Sequence, residues 1–267
     1  MKVYVNESLL NVEEDMDVFR LKNRIKKDAD VVIYNGFPIN ENIKLKALDR
    51  IVFIKKGEIP TKEEMEAQLV ARHTPRIYEK LKKVSVAIAG LGGLGSTTAL
   101  SLARVGIGKL ILVDYDVVEP SNLNRQQYFI KHIGMKKTEA VKDMISQCNP
   151  FVKIQTIDVY VDEKNIENIF KDADIIIEAF DNAETKALIT NKVLTTMKDK
   201  KIITASGLAG YEDCNLIKTK KINDRFYIVG DGQAEAKPGR GLMAPRVSVA
   251  ANHQANLILE LILKDNI

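Results

Sequence analysis

The stretch that decides the fold is residues 84–114, VSVAIAGLGGLGSTTALSLARVGIGKLILVD. Val84 to Ala89 is a short apolar run of the kind that makes a buried parallel strand. Gly90, Gly92 and Gly95 then form G-x-G-x-x-G, with Gly93 as a further glycine inside it. Helical spacing follows and predicts Leu100, Ala103 and Val105 on the face toward a sheet. Leu110 to Val113 is the next apolar run, closed by Asp114. Strand, glycine turn, helix and strand in this order predict an α/β fold, a Rossmann-like sheet with helices on both faces.

This unit has a specific physical use. Glycines allow a tight turn and a close approach of backbone to a phosphate. The helix that follows offers its free N–H groups and the positive end of its dipole to the same phosphate. Asp114 lies 19 residues after Gly95, where an acid accepts hydrogen bonds from a ribose. An adenine nucleotide is therefore expected at this turn, with Gly92 and Gly93 against the phosphates and Asp114 on the sugar.

The whole chain sets the bounds. Its 267 residues are 45% hydrophobic, enough for one large domain with a smaller one beside it. The net charge of +4 comes from 40 basic and 36 acidic residues mixed along the chain. That balance predicts neither a nucleic-acid nor an anionic-membrane partner. Two cysteines, Cys148 and Cys214, make neither a disulfide framework nor a four-cysteine zinc site. The opening residues read directly as a strand rather than a leader, and no apolar run approaches spanning length. A cytoplasmic protein without membrane contact is expected.

Outward from the centre, the first sixty residues read as ββαββ. A strand and a returning strand flank a turn at Asn6-Glu-Ser8. Asp17 caps a helix to Lys27 with Val18, Leu21 and Ile25 on one face. Val31 to Tyr34 is a strand, Asn35-Gly36 a tight-turn signal, and Ile51 to Ile54 the last strand. Thr61-x-x-Glu64 is a capping-box pattern that starts the next helix. The chain divides at 1–57, a linker with helices at 58–83, and 84–267.

Beyond Asp114 comes Ser121-Asn-Leu-Asn-Arg125, then Gly134-Met-Lys-Lys137 at the start of a helix. Strands are predicted at 151–161, 173–179, 201–205, around 215–219 and at 225–229. Helices are predicted at 162–170, 183–197 and 247–263. Phe180-Asp-Asn182 stands at the carboxyl end of a buried strand, where ligands bind in an open α/β sheet.

These separated motifs resemble the ThiF/MoeB/HesA adenylyltransferases of the ubiquitin-activating superfamily, over about residues 69–263. The likeness implies ATP plus a carboxylate giving an acyl adenylate and pyrophosphate. It implies Ser121, Asn122 and Arg125 on the nucleotide, Lys137 on the α- or β-phosphate with Lys136 facing solvent, and Asp181 as the magnesium ligand. It implies Asn182 beside the nucleotide, and Arg125, Lys137 and Asp181 as the catalytic set. Arg72 or Arg76 would fill the place of an arginine that reaches a neighbouring subunit, so a homodimer is expected. Asp116 is open between a cap and a site role.

Residues 1–57 are similar to the ubiquitin-like (β-grasp) sulfur carriers of the ThiS kind. A working carrier ends in a free Gly-Gly; here Ile54 runs into Lys55-Lys-Gly-Glu-Ile-Pro60. This copy is therefore not itself the acyl substrate, and a separate ThiS-like carrier is the expected partner. The zinc-binding Cys-x-x-Cys pairs of many relatives are absent, so no zinc is expected. The loop stretch Glu235 to Arg240 lacks a cysteine, and Cys214, expected in a strand, reads as a packing residue. The shortened core resembles the second ThiF subfamily and makes thiamine (thiazole) synthesis the favoured pathway. Molybdopterin synthase activation, a tRNA threonylcarbamoyladenosine dehydratase and a nucleotide-binding adaptor are the rivals. An NAD-dependent oxidoreductase is disfavoured by Arg125, Lys137 and Asp181 together.

Overall fold

The computed structural model of the chain describes residues 1–74 and 76–264. Pro75, part of the predicted helix break, and the last three residues lie outside them. The described residues divide into two compact units, Met1–Tyr78 and Glu79–Ile267.

The first unit contains β1 (Lys2–Val5), β2 (Ser8–Asn11), α1 (Val18–Ile25), β3 (Val31–Tyr34), β4 (Phe37–Ile39), β5 (Arg50–Ile54) and α2 (Lys62–His73). Its sheet has the order β2-β1-β5-β3-β4, with β1 and β5 parallel and the other pairs antiparallel. Alternation decides which side is buried: Val3, Val5, Ile51 and Phe53 join Val18 and Leu21 of α1 in one core. Asp17 caps α1 by accepting from the backbone N–H of Arg20 at 2.8 Å. Asn35 and Gly36 both take positive φ, 48° and 90°, as the tight hairpin requires. Thr61 and Glu64 make the reciprocal capping box at the start of α2. The chain leaving β5 is tied down: the N–H of Lys56 donates to Asp30 at 2.7 Å, and Lys26 pairs with Glu58.

α3 (Ile77–Leu81) leads into β6 (Ser85–Ala89), α4 (Gly93–Arg104), β7 (Lys109–Asp114), α5 (Lys137–Ser146), β8 (Lys153–Asp158), α6 (Ile166–Phe170), β9 (Ile175–Glu178), α7 (Ala183–Thr196), β10 (Lys201–Ala205), β11 (Lys218–Lys221), β12 (Phe226–Gly230) and α8 (Ala244–Lys264). The sheet order is β11-β12-β10-β9-β6-β7-β8. All neighbours are parallel except β11 and β12. The order reverses between β6 and β9, so their carboxyl ends open the crevice in which such sheets bind ligands.

Several boundaries differ from the pattern reading, each for a local reason. Leu102 and Ala99, rather than Leu100 and Val105, join Ala103 among the fully buried residues of this segment. The sixth helix starts at Ile166 because Asp162 Oδ1 accepts from the N–H groups of Lys164 and Asn165, a turn that competes with helix. Cys214 is not in a strand. Asp213 caps a 3₁₀ turn over Cys214–Leu216, which delays β11 to Lys218 and leaves Cys214 exposed.

Candidate active site

The glycine turn is held from three sides. Gly90 has φ of 92°, and a Cβ there would lie 2.8 Å from the carbonyl oxygen of Ala179. A Cβ at Gly95 would lie 1.9 Å from the carbonyl oxygen of Gly90, so the turn folds onto itself only without a side chain. Gly92 differs: its nearest neighbour would be Gln126 Nε2 at 3.8 Å. Packing does not demand a glycine there, which leaves open approach to the backbone as its use.

Asp114 ends β7 and is buried. Its Oδ2 accepts from the N–H of Leu91 at 2.6 Å and its Oδ1 from the N–H of Asp116 at 2.8 Å. The carboxylate thus braces the glycine turn, and each oxygen keeps a lone pair for a further donor. Burial pushes its carboxyl above the usual range, while the charge of Lys137 pulls it down.

Lys137 arrives by a short antiparallel ladder. Val118 N–H donates to Met135, Gly134 N–H to Val118, and Lys137 N–H to the Asp116 carbonyl. This places Lys137 Nζ 2.7 Å from Asp116 Oδ2, with the lysine side chain only 9% exposed. Lys136 points away and meets Asp158 at 3.2 Å with 46% of its side chain exposed.

Residues 120–124 form a 3₁₀ helix. Asn122 is buried there, its Oδ1 accepting from the N–H of Glu119 at 3.0 Å. Ser121 is exposed, with Oγ 3.3 Å from Glu119. Arg125 Nη1 donates to Asn124 Oδ1 at 2.8 Å, and among the described residues no carboxylate lies within ion-pair reach of it. Gln127 fastens this loop to α4, its N–H donating to Ser96 Oγ at 3.2 Å and its Nε2 to Thr97 Oγ1 at 3.0 Å.

Across the crevice, Asp181 follows β9 and is exposed. Asn182, not Asp181, caps α7, accepting from Thr185 N–H at 3.0 Å. Among the described residues no hydrogen bond or ion pair engages the Asp181 carboxylate. Its charge nevertheless reaches the Tyr115 hydroxyl, which Asp116 first and Asp181 with Asp114 among the rest hold above the usual tyrosine range. Among the described residues no group of three or more His, Cys, Asp or Glu converges as a metal cage. A lone exposed carboxylate suits magnesium held jointly with phosphates, the usual mode for that ion.

Four features escaped the pattern reading. Asp116 pairs with Lys137, which its place in Asp114-x-Asp116 hints at. Glu178, fully buried at the end of β9, meets Lys186 at 3.1 Å and accepts from the N–H of Phe180, fixing the turn before Asp181. Burial raises its carboxyl, with Lys186 opposing. Gln126 lies over Gly92 with a buried Oε1 that has no partner. Arg246 and Asp231 form a buried pair far apart in sequence from the motifs.

A Rossmann-like α/β unit with a glycine turn at its crevice and a ubiquitin-like fold ahead of it is what this geometry defines. Residues 65–267 match the ThiF family and residues 1–57 the ThiS-like ubiquitin family. The chain belongs to the ThiF family. The molybdopterin-synthase adenylyltransferase of Haemophilus influenzae is 37% identical over 132 residues, 49% of this chain and 53% of that protein. An adenylyltransferase and sulfurtransferase of Scheffersomyces stipitis is 32% identical over 206 residues, 76% of this chain and 43% of that protein. The chain spans about half or less of the length of these curated relatives. The structure of the E. coli tRNA N6-threonylcarbamoyladenosine dehydratase in complex with ATP has a TM-score of 0.69 at 21% identity, covering 78% of this chain and 98% of that one. That likeness is one of fold. Among the described residues no helix is long and apolar enough to cross a membrane.

Proposed function

We propose that this protein adenylates the C-terminal glycine carboxylate of a separate ubiquitin-like sulfur carrier, using ATP. The observation that supports the reading is Asp114 bracing the glycine turn through the N–H of Leu91, with Lys137 bound to Asp116 beside it and Asp181 following β9 at the carboxyl end of the neighbouring strand. The names of the curated relatives support it at the level of adenylyltransferase.

The chain's own groups supply positioning and charge. Backbone N–H groups at Gly92 and Gly93 meet phosphate oxygens, and Asp114 accepts from the ribose hydroxyls. Arg125, unpaired with any carboxylate among the described residues, offers its fork of donors to the phosphates. Asn122 and Asn182 offer side-chain amides, and Ser121 its hydroxyl, at the rim of the same site. Lys137, kept in place by Asp116, faces the charge that grows as the carrier carboxylate oxygen attacks the α-phosphorus and pyrophosphate leaves. Asp181 would hold a magnesium ion together with the phosphates, and the ion would supply charge neutralisation at the leaving group.

The carrier we assign is of the ThiS kind, in thiazole synthesis, because the fused unit matches ThiS-like ubiquitins. The fused unit lacks a free tail and is read as a regulatory or docking module. A homodimer is part of this reading. The name of the Haemophilus relative favours a second reading, activation of a molybdopterin synthase carrier. ATP–pyrophosphate exchange with purified carriers ending in Gly-Gly decides: exchange with a ThiS-like carrier alone supports the first, with a molybdopterin-type carrier alone the second. No exchange with any carrier rejects both.

A further inference from the structure

Arg246 is the largest fully buried side chain among the described residues, 2% exposed, on the first turn of α8. An arginine is seldom fully buried unless its charge is paired; here both terminal nitrogens are met, while Nε has no hydrogen-bond partner. Its Nη2 lies 2.7 Å from Asp231 Oδ2, and its Nη1 donates to the carbonyl of Ala209 at 2.8 Å. Asp231 begins the loop after β12, and its Oδ1 accepts from the N–H groups of Gln233 and Ala234. Ala209 belongs to the turn 206–210 at the carboxyl end of β10. That turn and that loop lie side by side: Ala209 N–H donates to Ala234 and Gly210 N–H to Gly241. Arg240 and Glu212 pair across the same seam. Burial alone would raise the Asp231 carboxyl, but the bonds from Arg246, Ala234 and Gln233 outweigh it and hold it low.

The helical turn that carries Arg246 also meets the glycine turn. Its neighbour Val247 is packed so closely that a Cβ at Gly93 would lie 2.8 Å from Val247 Cγ1. A few residues earlier, the Leu242 carbonyl accepts from Asn124, next to Arg125, at 3.4 Å. The segment 242–247 is therefore pinned by Arg246 at one end of its contacts and touches the phosphate-binding elements at the other.

We infer that Arg246 is a positioning residue that sets the loop 231–241 and the turn 206–210 at a fixed distance from the glycine turn and Arg125. It touches no reacting atom. It determines where an incoming carboxylate, lying along that seam at the end of β10, meets the nucleotide. Only this last assignment rests on the adenylation reading; the mechanical link does not. Removing the guanidinium leaves the Asp231 carboxylate without its cation and frees the Ala209 turn.

The test uses the full chain and two readouts. Arg246→Gln raises the KM for the carrier about tenfold, since a displacement near 1 Å at a distance from the chemistry is costly. A mere loss of folded protein lowers the rate and leaves KM unchanged. Arg246→Lys, which keeps a cation facing Asp231, recovers most of that KM. Backbone hydrogen exchange in Arg246→Gln rises at 206–210, at 231–241 and at 91–95. Exchange that rises only around 244–248, or a lysine variant no better than glutamine, overturns the inference. If Arg246→Gln does not fold, Asp231→Asn removes one of the two anchors and must shift the same three segments. A wild-type protein inactive with every Gly-Gly carrier overturns the adenylation reading, while exchange at 91–95 still decides the positioning role.

Discussion

Lys137 Nζ stands 2.7 Å from Asp116 Oδ2, and the same ammonium lowers the nearby Asp114 carboxyl that burial raises. One cation thus serves two carboxylates at the end of β7. Its removal leaves the buried Asp114 with its backbone N–H bonds alone and the half-exposed Asp116 without its ion pair.

The pH behaviour of Asp114 follows with a definite sign. A carboxyl whose native pKa lies above its unfolded value contributes stability at low pH and loses it as the pH climbs through the native pKa. Lys137→Met moves the Asp114 midpoint further up and widens the range over which raising the pH destabilises the fold. Carboxyl carbon NMR across the acid range reads the midpoint directly. A midpoint that stays put would mean the lysine does not act on Asp114.

Asp181 and Asn182 separate function from capping. Asn182→Ala removes the α7 cap and costs about 1 kcal/mol, or roughly 2–4 °C in Tm for a unit of this size. Asp181→Ala leaves Tm unchanged and reduces ATP–pyrophosphate exchange at least a hundredfold, an order expected for a lost charge contact in the transition state. A melting curve with an exchange assay on both variants settles the division. Exchange near the wild-type rate in Asp181→Ala would reject the magnesium role.

The glycines of the turn are not equivalent. Gly95→Ala drives a Cβ into the Gly90 carbonyl, with a cost at or beyond the upper end of about 1–3 kcal/mol for overpacking. Gly92→Ala meets only ordinary contact with Gln126 and folds with nearly the wild-type Tm. On the proposed reading its methyl group stands in the path of the phosphates, so ATP affinity falls about tenfold or more. Calorimetric titration of ATP into Gly92→Ala checks this; unchanged affinity would put the phosphates elsewhere.

The two thiols differ in access. Cys214 is exposed on its 3₁₀ turn, whereas Cys148 is partly buried and burial raises its thiol. A thiol-specific reagent labels Cys214 quickly and Cys148 slowly. Cys214→Ser removes the fast phase and leaves adenylation unchanged.

What could be read from the sequence was what local spacing encodes. The strand–turn–helix of 84–114, the caps at Asp17 and Thr61, and the hairpin at Asn35-Gly36 depend on neighbours a few residues away, and the structure has them. The expectation that Lys136 faces solvent came from a motif, and its side chain is 46% exposed against 9% for Lys137. Cys214 was misplaced because a single aspartate, Asp213, turned an extended pattern into a 3₁₀ turn. Arg246 was invisible for another reason. Its partners Asp231 and Ala209 lie 15 and 37 residues away, and in a sequence a buried arginine looks like a surface one. Asp116 stood between: its spacing from Asp114 was legible, but its partner 21 residues on was not.

β5 runs through the tied-down segment 55–58 into α2 without a break in the chain. The ribosome therefore makes the ubiquitin-like fold and the ThiF-family fold in a strict one-to-one ratio. Dilution, which separates a free carrier from its activating enzyme, leaves these two at a constant local concentration. Whatever influence the first exerts on the second is set by the covalent tether and by other ligands, and not by how much of the protein the cell contains.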